Sequence, residues 1–178
     1  MTDPPGQAVR TWRYYLPKVK GEGWAIVFLD SIGCFSALSD WGNVGYRWPQ
    51  AGWGDGDFRD FLLDCDNSYL ESKFGQERRE YDPEATVESV RNGLLRARRE
   101  GYLTKEEARD EWNLLRRHFN LSDESDFSEW FSETKVDAAG EHHHTRYVRE
   151  VTSFIEHVMP RLREQMKLDR NGENNGQP

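Results

Sequence analysis

Trp24-Ala25-Ile26-Val27-Phe28-Leu29 is the longest apolar run in the chain, and its reading decides the fold class. Six residues suit one β-strand and fall far short of the roughly 20 needed to cross a bilayer. Aromatic and β-branched residues favour the pleated backbone. An unbroken apolar run predicts a strand covered on both faces. Alternation puts Trp24, Ile26 and Phe28 on one face and Ala25, Val27 and Leu29 on the other.

Outward from this run, further strands are expected at close intervals. Residues 9–16 are rich in aromatic and β-branched types and stop at Pro17, which cannot continue a central ladder. Downstream, Asp30-Ser31-Ile32-Gly33 is a turn signal. It leads to a strand over 34–38, the break Ser39-Asp40-Trp41-Gly42, and a strand over 43–48. Connections this short join antiparallel neighbours, because a parallel crossover needs a dozen residues or more. The expectation is an α+β fold whose N-terminal sheet, within 9–48, is a four-stranded antiparallel meander.

About five helices are expected to follow within 57–168, most of them on one sheet face. Asp57 is a good N-cap, and Phe58, Phe61, Leu62 and Cys65 recur at helical spacing. A second short helix spans 68–74 and closes at Gly75. Pro83 sits where a first turn tolerates proline, and Val87, Val90, Leu94 and Ala97 form a buried stripe up to Gly101. Thr104 with Glu107 makes a capping box for a helix to about Phe119, with Ala108, Trp112, Leu115 and Phe119 inward. The short link makes these two an αα-hairpin. A further helix carries Phe127, Trp130 and Phe131, capped by Ser122 or Asp123. Residues 135–144 read as loop. A last helix carries Tyr147, Val151, Phe154, Ile155 and Val158, and Pro160 kinks or restarts it. Residues 1–8 read as an arm and 169–178 as a disordered tail, which leaves a single domain over 1–168.

Composition narrows the function. Hydrophobic residues are only 36% while aromatics reach 13%, so a few large rings build the core. Cys34 and Cys65, with no leader-like segment before them, read as reduced thiols of the cytoplasm. The net charge is −8, which argues against a general nucleic-acid binder. Acids outnumber bases six to two over 51–75 and seven to one over 121–145, whereas 76–120 holds ten of each.

Each candidate constellation has a plain structural reading beside it. Glu141-His142-His143-His144 offers imidazoles, but three consecutive side chains point in different directions, so a solvent-exposed loop and no metal site are expected. Asp57, Asp60, Asp64 and Asp66 offer carboxylates, but they read as the solvent face of an amphipathic helix. Arg91, Arg96, Arg98 and Arg99, near Arg78 and Arg79, suit phosphate, but Glu84, Glu88 and Glu100 among them predict internal salt bridges. Trp12, Tyr14, Tyr46 and Trp48 suit base stacking, but core packing explains them better. Trp53, in Gly52-Trp53-Gly54-Asp55-Gly56, closes on the sheet or meets a partner.

The stretches Ser39-Asp40-Trp41-Gly42-Asn43, Tyr46-Arg47-Trp48, Asp57-Phe58-Arg59-Asp60-Phe61-Leu62 and Tyr69-Leu70-Glu71-Ser72-Lys73-Phe74 come in series with Arg99-Glu100-Gly101-Tyr102-Leu103 and Met159-Pro160-Arg161-Leu162. Together they resemble a family of tailed-bacteriophage and prophage accessory proteins, over about residues 10–165. The resemblance implies action in the host cytoplasm and carries over no catalytic residue. The expected function is binding of a host or phage macromolecule, with a protein as the expected partner, without catalysis and without cofactor, to inhibit a host defence or redirect a host enzyme. Asp123, Glu124, Asp126, Glu129, Trp130 and Glu133 form the expected contact surface, with Trp53 as a further anchor. Direct nucleic-acid binding and membrane association are not expected. The alternatives are a metal-dependent nucleic-acid-processing enzyme and a nucleotide-binding module. Oligomeric state stays open.

Overall fold

The computed structural model describes residues 8–175 except Glu22 and Glu77. The residues expected to form an N-terminal arm lie, apart from Ala8, outside that set. In chain order the elements are β1 (Thr11–Leu16), β2 (Ala25–Asp30), β3 (Cys34–Ser39), β4 (Gly42–Arg47), α1 (Phe58–Asp64), α2 (Asn67–Phe74), β5 (Arg79–Tyr81), α3 (Pro83–Glu100), α4 (Lys105–Arg117), α5 (Glu124–Glu133), β6 (Thr145–Tyr147), α6 (Arg149–His157) and α7 (Met159–Asn175). Short 3-10 turns stand at Gln50–Gly52 and Ala139–His142. Two compact units result, one of the described residues up to Arg78 and from Tyr147 onward, the other Arg79–Arg146.

In the first unit β1–β4 form the expected antiparallel meander, each strand beside its chain neighbour. Local chemistry sets its turns. Asp30 Oδ1 accepts from the amides of Ile32 and Cys34 at 3.0 and 2.8 Å. Gly33 has φ +92°, and a Cβ there would lie 2.3 Å from the Trp48 carbonyl oxygen, so only glycine fits. Tyr14, Val27, Ala37 and Val44 face one another across the four strands and are buried. They join a core with Phe58, Leu62, Leu70, Phe74, Val151, Phe154, Leu162 and Met166 from α1, α2, α6 and α7. Phe35 meets Phe74 at 4.8 Å and Phe154 at 6.1 Å between ring centroids. Tyr14 and Trp48 are buried here, and Trp12 and Tyr46 pack against them, as core packing requires.

Three expectations are corrected in this unit. The sheet is covered on one face only: Tyr15, Phe28 and Leu38 are 62%, 44% and 43% exposed. The run 24–29 is therefore apolar on both sides but buried on one. The polar tail is helical, because α7 continues to Asn175. Its charges read as disorder in the sequence, yet Arg170 and Glu173 pair with Asp60 and Arg59 of α1. Residues 176–178 lie outside the described set. The acidic face of α1 is not simply solvated, as shown below.

In the second unit α3 and α4 form the expected αα-hairpin. Gly101 caps α3 with φ +83°. Thr104 Oγ1 accepts from the Glu107 amide at 3.2 Å, and Glu107 accepts from the Thr104 amide at 2.8 Å. Val90, Leu94, Leu114, Leu115, Leu121, Phe127 and Trp130 make the core. Phe119 is not inward but 75% exposed: α4 ends at Arg117, and residues 119–121 all take positive φ, which swings the ring outward and brings Leu121 in. β5 and β6 pair as a two-stranded sheet that the pattern of three-residue strands does not announce.

Candidate functional site

Helix α5 carries the expected contact surface. Asp123 is its N-cap, accepting from the Asp126 amide at 2.9 Å, and Asp126 in turn accepts from the Ser122 hydroxyl at 2.6 Å. Apolar periodicity turns Phe127 and Trp130 inward. Trp130 is fully buried, so it anchors α5 to its own unit and cannot touch a partner. Phe131 is the ring left open, at 51%. The acids of α5 have partners in the same unit: Glu124 meets His143 at 3.1 Å, Glu129 and Glu133 meet His118 at 3.5 and 3.3 Å, and Glu133 also pairs with Arg117. Glu124 and Glu129 nonetheless keep 68% of their side-chain surface exposed. Glu111 of α4, itself buried, holds the end of α5 by accepting from Thr134 Oγ1 at 2.7 Å and the Lys135 amide at 3.1 Å.

Trp53 turns inward. Its ring lies 5.4 Å from that of Phe58, and its Nε1 borders Gly33, so the glycine loop folds onto the sheet end.

The histidine run is half-buried rather than a solvent-exposed loop. His142 Nδ1 lies 2.9 Å from Ser89 Oγ, the His143 ring sits 5.1 Å from Phe127, and the His144 amide donates to Thr86 Oγ1 at 3.1 Å. Burial, with His144 and Arg96 nearby, holds the His142 pKa below its usual value. Three neighbours in sequence thus bind three different places. Among the described residues no three His, Cys, Asp or Glu side chains converge to hold a metal ion. Burial also pushes the Cys65 thiol up to about 11, away from the thiolate that nucleophilic chemistry needs.

The aspartates near α1 serve structure. Asp57 caps α1 and grips Arg59 through Nε at 3.0 Å and Nη2 at 2.7 Å. Glu173 holds the other edge of the same guanidinium at 3.2 and 2.6 Å, and the Trp12 ring lies 4.4 Å from it. Asp60 takes Arg170 at 2.9 and 2.6 Å, and Asp66 caps α2. Arg59 is fully buried. Burial alone would lower its pKa, but the hydrogen bonds that it donates to Asp57 and Glu173 outweigh that and raise it. The same contact lowers the Asp57 carboxyl against its own desolvation. Desolvation pushes the Tyr14 phenol up to about 12.

The arginines of α3 do not behave as expected. Among the described residues the side chains of Arg91, Arg96, Arg98 and Arg99 make no hydrogen bond or ion pair, and neither do those of Lys105, Arg109 and Arg116 of α4. Glu84, Glu88 and Glu100 lie on the same helix without closing on them. A groove of about 320 Å³ is lined by Arg98, Lys105, Ala108, Arg109, Trp112, Asn113 and Arg116. A second, of about 600 Å³, includes Arg91, Leu95, Glu84, Glu88 and the same Trp112. The signal was present in sequence as Lys105, Arg109, Trp112 and Arg116 at i, i+4, i+7 and i+11, one line on a helix. Trp112 packs against the core of its unit, as its spacing predicts, yet stays half-buried at the edge of the groove.

Compared with known proteins, residues 7–167 match the model of a phage family. No curated protein and no solved structure matches the chain.

Proposed function

This chain belongs to that phage family, and from this premise we propose that it is a non-catalytic accessory protein that binds a host or phage protein in the host cytoplasm and inhibits a host defence. The observation that carries the reading is the open face of α5. There Phe131 stands half-exposed on the side of the helix that also carries Glu124, seven residues before it, while Glu129 and Glu133 share the other side, toward His118. An open aromatic ring on a helix whose exposed charges are all acidic suits an interface, since the ring supplies desolvated area and the charges select and steer a basic partner. The internal partners of these acids hold them in place and lower the entropy lost on docking. Asp123 and Asp126 support the surface from beneath as cap residues.

A photo-crosslinking amino acid at position 131, introduced into the protein during infection, tests the reading. It should yield a discrete crosslinked protein that the same probe at Tyr102 does not. In cells carrying the relevant defence, Glu124→Lys with Glu129→Lys should lower phage plating at least tenfold while leaving the melting temperature unchanged. Absence of a position-specific crosslink, or full activity of the double variant, would overturn the proposal.

A further inference from the structure

We propose that the groove between α3 and α4 is a binding site for single-stranded nucleic acid. Phosphates would pair with Arg98, Lys105, Arg109 and Arg116, and a base would stack on Trp112. This goes beyond the α5 reading and stands on different residues.

The first observation is a contrast in pairing. Five arginines elsewhere, Arg10, Arg59, Arg117, Arg146 and Arg170, each bridge a carboxylate, whereas Arg13 and Arg149, unpaired among the described residues, stand singly on other elements. Arg116 and Arg117 are adjacent, yet Arg117 pairs with Glu133 and Arg116 makes no ion pair among the described residues. In a chain of net charge −8, acids are abundant. Four unmatched cations in one groove whose lining holds no acid mark a place kept for an anion.

The second observation is geometry. Lys105, Arg109, Trp112 and Arg116 follow one line along α4, about 16 Å from end to end at 1.5 Å per residue. The antiparallel hairpin brings Arg98 of α3 to the same groove. An array of this length suits a polymer of regularly spaced phosphates better than one small anion. Arginine also forks onto phosphate oxygens in a way a point charge cannot. Trp112 is half-buried and lines both grooves, so its ring lies where the cationic line opens onto the roomier, more apolar recess of Val87 and Leu95. That recess takes an unpaired base. A duplex hides its bases and would meet only the cations. Glu84 and Glu88 at the far end would repel further phosphates there, which limits the site to a few nucleotides.

The negative total charge does not prevent this. At physiological ionic strength charges are screened beyond about 8 Å, so the local line of cations sets the affinity. It also predicts a strong salt dependence.

Fluorescence anisotropy of labelled dT12 and rU12 with the full chain tests the site. Binding should weaken as salt rises, with a slope of log K against log salt of about −0.7 for each phosphate engaged. Arg98→Ala with Arg109→Ala should lower affinity at least tenfold and flatten the slope by about 1.4. Trp112→Leu should lower affinity about tenfold with the slope unchanged, and Arg13→Ala should change nothing. Each variant is compared at matched melting behaviour. No salt-sensitive binding of either oligonucleotide at low salt would overturn the proposal, as would wild-type affinity in the folded Arg98/Arg109 variant. Binding of a polyglutamate chain but of neither oligonucleotide would overturn it too, and would assign the groove to an acidic protein.

Discussion

The imidazole of His142 occupies the space that a side chain at position 93 would need. A Cβ on Gly93 would fall 2.8 Å from Cε1 and 2.9 Å from Nε2 of that ring. A glycine in the middle of an 18-residue helix costs about 1 kcal/mol relative to alanine, and here the cost is offset by close packing of the histidine run onto α3.

Gly93→Ala should therefore be destabilising in the native background, because the ring must shift and lose Ser89. In a His142→Ala background the same change should stabilise by about 1 kcal/mol. A double-mutant cycle by chemical denaturation should return a coupling of about 1–2 kcal/mol. Zero coupling would mean that the ring does not rest on the helix.

The same ring makes the second unit sensitive to acid. The folded-state pKa of His142 is lowered, so the unfolded chain takes up its proton first. The contribution is fully present above the unfolded value, about 6.5. It is lost as pH falls from there through the lowered folded value. Melting temperature should drop between pH 7 and pH 5, and His142→Gln should reduce that drop. An equal drop in the variant would place the titration elsewhere.

Asp57→Ala should cost about 3–5 kcal/mol, since it leaves the buried Arg59 guanidinium half-matched, with a further ~1 kcal/mol from the lost cap. Arg59→Met should cost less, because it removes the buried charge together with its need for a partner, while Arg170 still faces Asp57 at 3.1 Å. If urea denaturation ranked the two variants the other way, the pair would not be the clamp that holds α7 to α1.

On the sheet the two faces should respond differently. Leu29→Ala should cost about 2–5 kcal/mol, as a fully buried leucine. Phe28→Ala, on the open face, should cost about 1 kcal/mol or less, the scale of cross-strand pairs. Comparable losses at both positions would show that something covers the outer face in solution.

The meander and the αα-hairpin were legible because their instructions are local. Asp30 through Gly33 turn a chain that is already extended, and Gly101 with Thr104 and Glu107 stop one helix and start the next within a few residues. The strands and caps came out within a residue or two. The candidate surface was legible only in part: the acids of α5 lie where their pattern put them, but its aromatic stripe did not say which ring stays open. Tertiary structure decided that Trp130 is core and Phe131 is not.

It decided more where two sides of an element look alike. Residues 24–29 are apolar on both faces, and only the docking of α1, α2, α6 and α7 on one side makes the other an open surface. Arg59 reads as an ordinary charged residue until Glu173, 114 positions away, closes over it. Arg91, Arg96, Arg98 and Arg99 of α3 and Arg109 and Arg116 of α4 sit among enough acids in sequence to pair, and do not. Sequence by itself determined the meander and the αα-hairpin, because turns, caps and periodicity act over a few residues. Which faces are covered, and which charges are matched, was left to contacts between residues far apart in the chain, whose energies depend on burial that no local pattern carries.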